Sequence, residues 1–548
     1  MLLIECSKIK KYFGERLIID VEELKIYTED RIGLVGVNGA GKTTLMNILC
    51  QRLEPDEGWV KLYGSYSYVS QLEEPDGKSI NAEMASRFGV AATWDEKMSG
   101  GEKTRFKLAR SLSTESQLLL ADEPTSNMDL EGIELLENSL VGDSGGLVLI
   151  SHDRSLLDKV CNKIMEIEDG KVKVYHGNYS DYRAQKRKAG ERAQFEYQQY
   201  RKEKKRLERV SVDLKERVTT MRKTPKRMGN SEARLHKMGN QKAKANLDRA
   251  QKNIESRIRH LEVKARPKDQ EIIRLDVTDS AKLHSKIIIE GRNINKKFGK
   301  KVIFTDGEFK IYNGSKTALL GPNGCGKSTL LKMIMHNDES VKITPGAKIG
   351  YFSQDMDILQ TDLTILENVM ENSSYPETLI RIFLARLLFK GDDIHKKISV
   401  LSGGERVKVS LAKILLQEIN LLILDEPTNY LDINSLEVIE EVLRGYQGAL
   451  LFVSHDRRLI SSVADHIMTI ADHKIRIFTG SYQEYAARKN KCGDEQQEEI
   501  KKQLFVLQNR LAEIIGRLSL PDKKDDPARL DKEYRQVLTE IKSMKEKL

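Results

Sequence analysis

No apolar run in the 548-residue chain approaches the ~18 residues that a membrane-spanning helix needs, and no apolar segment of a signal peptide follows the first residues. The chain is therefore expected neither to cross a membrane nor to carry a secretion signal. Cysteine is sparse and odd in number: Cys6, Cys50, Cys161, Cys325 and Cys492, with no C-x-x-C pair. That argues against a disulfide framework and a Cys-rich metal cluster, and fits a reducing cytoplasm. Only 11 prolines occur, while 32% of residues are charged, so a soluble, helix-rich chain is expected. One hydrophobic core cannot serve a chain of this length, and two or three domains are expected.

Charge is abundant but unevenly placed. The whole chain carries +9, yet Arg183 to Lys268 holds 28 Lys and Arg against 10 Asp and Glu, a local excess of +18. Positive charge concentrated in one segment is the footprint of a polyanion-binding element, although a solvated spacer has the same look. Within it Leu207, Val210, Leu214, Val218 and Met221 recur at helical spacing, as do Leu247, Ala250, Ile254, Ile258 and Leu261. One apolar seam per helix predicts an antiparallel hairpin. The first helix is expected from near Ala184 to about Arg222, a reach of roughly 60 Å. Pro225, Gly229 and Gly239 are expected to interrupt the helices around a tip at about 222–241.

Before this segment, the apolar strand RIGLVG leads into Gly36, Asn38, Gly39, Gly41, Lys42, Thr43 and Thr44, then a helical run. This is G-x-x-x-x-G-K-[ST] in the setting a phosphate loop requires. Its glycines let backbone N–H groups wrap a β-phosphate, the helix N-terminus adds a favourable dipole, Lys42 reaches the β/γ-phosphates and Thr43 ligates Mg²⁺. Downstream, LLLADEP ends a buried strand in Asp122, placed for the magnesium shell, and Glu123, placed to orient or deprotonate water.

After the segment the order returns: Gly321, Asn323, Gly324, Gly326, Lys327, Ser328 and Thr329, then LLILDEP with Asp425 and Glu426. Phe13 and Phe298, like Gly36 and Gly321, are offset by 285 residues; Gln71 and Gln354 by 283; Ser99 and Ser402, Asp122 and Asp425, His152 and His455 by 303. A register held from Ser99 to His152 marks two copies of one domain. Near the C-terminus, Ile500, Leu504, Leu507, Leu511, Ile515 and Leu518 form one stripe and Leu530, Tyr534, Leu538, Ile541 and Met544 a second, with Pro521 and Pro527 breaking the helix between them. A small helical hairpin is expected there, either packed on its own body or binding a partner.

Both copies also carry Ser-Gly-Gly-Glu: Ser99, Gly100, Gly101 and Glu102, and Ser402, Gly403, Gly404 and Glu405. With the phosphate loops, the acid pairs and the S-H-D triplets, this set is similar to the ATP-binding cassette superfamily. Two cassettes in one chain, no membrane domain and a basic hairpin between them look like the ABC-F branch of translation-associated ATPases. That resemblance implies an α/β fold: two P-loop cassettes, each a mixed sheet with a helical subdomain, joined by a long helical hairpin. The expected divisions are 1–182, 183–285, 286–490 and a C-terminal hairpin at 491–548. It implies two ATP sites, each closing the phosphate loop of one copy against the Ser-Gly-Gly-Glu of the other. Glu123 and Glu426 are the implied catalytic residues, with His152 and His455 on the γ-phosphate, Gln71 and Gln354 sensing Mg²⁺, and Phe13 and Phe298 stacking on adenine. The implied partners are the 70S ribosome with its 23S rRNA and P-site tRNA, met in the cytoplasm by a monomer without a membrane, through the E site.

The short spacing between Gln71 and Ser99, the long tip and the C-terminal extension look like the Gram-positive members that protect ribosomes from pleuromutilins, lincosamides and streptogramin A. Candidate tip contacts are Arg222, Lys223, Lys226, Arg227, Met228, Arg234, Leu235, Lys237 and Met238. The family's Asn-His-Leu-Asp is replaced by Ser126-Asn127-Met128-Asp129 in copy one, and Tyr430 departs in copy two, which questions the symmetry of the two sites. A housekeeping translation factor, the tandem ATPase of a transporter, and a DNA-repair or chromosome-associated ATPase remain alternatives. The +18 segment argues against a transporter motor. The repair ATPase would need a zinc module or far longer coiled coils.

Overall fold

A computed structural model describes the chain except residues 72, 76, 115, 221–229, 262–282, 284, 354–357, 390, 429–430, 490, 492–506, 513, 516–526 and 546–548. It describes the backbone alone at 218–220, 230–244, 527–531 and 542–545.

The first copy is built on a nine-stranded mixed sheet. Its strands are β1 (Leu2–Phe13), β2 (Arg16–Tyr27), β3 (Arg31–Gly36), β4 (Glu57–Leu62), β5 (Tyr66–Val69), β6 (Leu118–Asp122), β7 (Gly146–Ile150), β8 (Lys163–Glu168) and β9 (Lys171–His176), in the order β4-β1-β2-β9-β8-β3-β7-β6-β5. The stretch β5-β6-β7-β3-β8 is parallel. Its strands LLLAD and GLVLI are buried at every position, because helices cover both faces of a parallel sheet. The antiparallel pairs β1–β2 and β1–β4 form the other end. In the second copy the equivalent elements separate into a three-stranded antiparallel sheet and a six-stranded sheet. In both copies the phosphate loop leaves a central parallel strand, and the acid pair ends the strand two places away. The loops bearing chemistry therefore gather at the carboxyl ends of the strands.

The basic segment is a pair of helices, Tyr179–Thr220 and Asn230–His260, packed side by side. The first spans 42 residues, or about 63 Å. The second passes through Gly239 without a break, so neither that glycine nor residues 230–241 belong to an open tip. A helix interior glycine costs only about 1 kcal/mol relative to alanine, which the flanking helical residues outweigh. The seam also differs by one position: Leu207 and Ser211 are buried and Leu214 half-buried, while Val210 is exposed. The spacing i, i+4, i+7 continues the stripe equally well, and only docking of the second helix chooses between the two registers. Arg222, Lys223, Lys226, Arg227 and Met228 lie outside the described residues, as do Gln354 and Tyr430. The side chains of Arg234, Leu235, Lys237 and Met238 do too.

At the C-terminus, Ile514, Val537 and Ile541 are buried together against Leu507, Leu511 and Tyr534. Ile515 and Leu538, expected in the seam, are exposed. Pro527 opens the helix Pro527–Lys545 rather than breaking one, since the first turn of a helix needs no N–H from that residue.

Candidate nucleotide-binding site

The carboxyl ends of the two sheets face one cleft of about 1600 Å³. This exceeds the roughly 300–1,000 Å³ of a single small-ligand pocket. Its walls come from both copies: Phe13, the loop Gly36–Thr44, Gln71, Asp122, Glu123 and His152 on one side, and Ser402, Gly404 and Glu405 on the other, with Ser99, Gly101, Asn323, Gly324, Glu426 and His455 contributing as well.

Each phosphate loop is a close wrap of backbone. Gly41 sits at φ 98°, and a Cβ there would meet Ile18 at 2.7 Å; Gly326 sits at φ 110° with Ile303 at 2.4 Å. Only glycine fits either position. Lys42 Nζ donates to the carbonyls of Gly36 (2.9 Å) and Val37 (3.2 Å), and Lys327 does the same to Gly321 (2.8 Å) and Pro322 (3.2 Å). The lysine thus already spans the loop where phosphates would lie. Thr43 donates its hydroxyl to Asp122 at 2.8 Å. Burial pushes the Asp122 carboxyl up to about 6 despite that bond. Such a hydroxyl–carboxylate pair suits a hard cation. Among the described residues, no group of three His, Cys, Asp or Glu could hold a metal. Ser328 takes the place of Thr43 in the second copy, at the start of the helix Lys327–Met335.

Glu123 and Glu426 both adopt left-handed backbone, φ 48° and 51°. For a non-glycine residue this costs of order 1–3 kcal/mol and is kept where surroundings enforce it, often at active sites. The turn aims each carboxylate at the histidine of its own copy: His152 Nε2 lies 3.2 Å from Glu123, and His455 Nε2 lies 3.1 Å from Glu426. Nδ1 of both histidines and Oε2 of Glu426 are buried without a hydrogen-bond partner among the described residues, which marks a place for a polar ligand. Burial, helped by Lys327, pushes His455 down to about 4, so its ring is neutral at physiological pH. Burial pushes Glu426 up to about 7 against the pull of Lys327. A carboxyl must be ionised to accept a proton. In a Glu123→Gln background, hydrolysis at the second site is therefore expected to rise with pH around a midpoint near 7. A flat rate from about pH 6 to about pH 8 would remove Glu426 as the base.

Ser99 and Ser402 cap the helices Gly100–Leu112 and Gly403–Leu415. Glu102 and Glu405 close capping boxes onto those serines, so their carboxylates hold the loop shape rather than pointing at a ligand. The backbone amides of Gly100, Gly101, Gly403 and Gly404 begin these helices, which is anion-binding geometry. Phe13 and Phe298 end long strands with 55% and 57% exposure, leaving their faces free for a flat ring.

The segment Ser126–Asp129 meets the second phosphate loop. The backbone N–H of Asn323, in the second phosphate loop, donates to Asp129 (3.1 Å), and its side-chain amide donates to the Asn127 carbonyl (2.9 Å). The equivalent Asp432 instead accepts from buried Lys408 at 2.5 Å. Sequence reasoning missed this pair, and also missed the reciprocal bridges behind the cleft. Arg154 reaches Glu440 (2.7 Å) and Asp456 (3.4 Å) across the cassettes, and Arg457 reaches Glu137 (2.9 Å) in return. The offset of 303 was a usable signal, because it relates Arg154 to Arg457 and Glu137 to Glu440.

Among the described residues no helix is long and apolar enough to cross a membrane. The family model described as ABC transporter matches residues 20–126 and 304–429. The erythromycin resistance ATP-binding protein MsrA of Staphylococcus epidermidis is 33% identical over 87% of this chain and 99% of its own length. The ribosome protection protein VmlR of Bacillus subtilis (strain 168) is 30% identical over 94% of this chain and 93% of its own. Among solved structures, the archaeal ribosome recycling factor aABCE1, in complex with the stalk protein aP1, superposes with a TM-score of 0.59 at 17% identity, covering 88% of this chain and 92% of that one. At that identity the likeness is one of fold.

Proposed function

Because the chain belongs to the ABC-F family and is an ATPase, we propose that it is an ATP-driven ribosome-binding protein of the antibiotic-resistance kind. The observation that carries this reading is the excess of +18 over Arg183 to Lys268, the segment that holds two long helices rooted beside the ATP cleft. Phosphate backbones reward such a concentration of charge, and the ~60 Å reach suits a deep ribosomal channel. The relatives MsrA and VmlR, similar over nearly the whole chain, bear names that state erythromycin resistance and ribosome protection.

In this reading the cytoplasmic monomer binds two ATP molecules, each between a phosphate loop and the opposite Ser-Gly-Gly-Glu. Thr43 and Asp122 with Gln71 would hold Mg²⁺ at one site, and Ser328 and Asp425 with Gln354 at the other; the ion would supply neutralisation of charge on the β- and γ-phosphates. Lys42 and Lys327 pair with those phosphates. Glu123 and Glu426 orient the attacking water and accept its proton, while neutral His152 and His455 hold the γ-phosphate against them. Closure directs the basic helices into the E site towards P-site tRNA and 23S rRNA, with the tip near the peptidyl transferase centre, where a drug is displaced.

The test is co-sedimentation of Glu123→Gln/Glu426→Gln protein with 70S ribosomes. Pelleting with ATP and not without it is the expected result. Absence of association at moderate salt, with ATP binding intact, would overturn the ribosome reading in favour of a transporter motor. Ribosome binding with unchanged antibiotic susceptibility in expressing cells would leave a housekeeping translation factor.

A further inference from the structure

We propose that Glu437 is a positioning residue through which closure of the first ATP site sets the direction of the basic helices. It rests on the reading that these helices are the working arm of the protein.

The chain of contacts begins at the site. Lys408 lies on the helix Gly403–Leu415, whose N-cap Ser402 lines the cleft opposite the first phosphate loop. Lys408 donates to Asp432, which caps the next helix, Ile433–Gly445, by accepting from the backbone of Ser435 at 2.9 Å. Lys408 and Asp432 are both buried, so these two helices move as one body. The second of them presents two carboxylates one turn apart to the other copy. Glu440 holds Arg154, two residues beyond the γ-phosphate histidine His152. Glu437 holds the root of the arm: Arg183 donates to one of its oxygens and the hydroxyl of Tyr179 to the other at 3.3 Å.

The same root is gripped by the first copy. Tyr182 donates to Glu166 at 2.7 Å, and Lys186 pairs with the same carboxylate. Glu166 lies on β8, beside the first phosphate loop. The arm helix is therefore clamped between two bodies whose relative position changes when ATP is gripped. A slip of about 1 Å across a helix roughly 10 Å wide, carried along the ~55 Å beyond Arg183, displaces the far end by roughly 5 Å.

This grip is not a by-product of the repeat. The 303 offset relates Tyr179 to Tyr482 and Glu437 to Glu134, but it places Ala486 where Arg183 stands. The arginine of the clamp at the root of the arm is thus not supplied by the repeat.

The experiment is done on free full-length protein, so its outcome is independent of ribosome binding. Fluorophores are placed through unnatural amino acids at exposed Arg209 on the arm and exposed Glu23 on the first copy. ATP is expected to shift energy transfer in the parent protein. Glu437→Ala and Arg183→Ala are expected to lose most of that shift with hydrolysis within about twofold of the parent, and the charge swap Arg183→Glu with Glu437→Arg to recover it. A full ATP-driven shift in Glu437→Ala would overturn the proposal. So would loss of hydrolysis in proportion to loss of the shift, because Glu437 would then act on the chemistry and not on the arm.

Discussion

Glu123→Gln with Glu426→Gln is expected to bind ATP and to hydrolyse it at least about 100-fold more slowly than the parent chain, the loss typical of removing a general base. Both glutamates are held in left-handed backbone and aimed at a neutral or down-shifted histidine. The amide keeps size and most hydrogen bonding but accepts no proton from water. Equilibrium binding of a fluorescent ATP analogue and single-turnover phosphate release separate the two effects. Near-parent release in the double variant would show that neither residue is the base. Single variants report on the symmetry of the two sites.

Arg154→Ala is expected to weaken closure of the cassette pair by about 3 kcal/mol, or roughly 150-fold, the lower end of the cost of removing one partner of a buried ion pair, because Glu440 keeps Arg444. Arg154 is 3% exposed and stands between Glu440 and Asp456. Removing it takes from Glu440 its partner across the cassettes and leaves only Arg444 on the same helix, whereas Asp456 keeps the backbone N–H groups of Arg458 and Leu459. The measurement is the ATP concentration needed to close the pair, read by small-angle scattering or by energy transfer between the copies. Arg154→Met with Glu440→Leu removes both charges and is expected to recover most of the loss, since well-packed apolar replacements of buried pairs are often neutral. Closure unchanged in Arg154→Ala would show that the reciprocal bridges do not hold the cassettes together.

Much of the site was legible because its chemistry is local. A phosphate loop needs glycines at set spacing between a strand and a helix, and an acid pair needs a buried strand ending at the cleft. Gly41, Lys42, Thr43, Asp122 and Glu123 therefore declare themselves, and the 303 offset declares their second copies. Ser99 and Ser402 are equally local, since a capping box lies within four residues.

What the sequence by itself determined is the pair of cassettes, the two phosphate-loop and acid-pair patterns and the location of the positive segment, all set by short-range pattern and composition. The tertiary structure decided which glutamate meets which arginine across the cassettes, that Ser211 and not Val210 faces the second arm helix, and that Gly239 stays helical. Arg154 and Glu440 are 286 residues apart, and the 303 offset relates one bridge to its reciprocal without saying which residues meet. Their pairing exists only because docking two sheets end to end removes both groups from water and leaves each the other's nearest partner. The helix registers, likewise, were nearly degenerate in sequence, and the packed neighbour supplied the burial that chose between them.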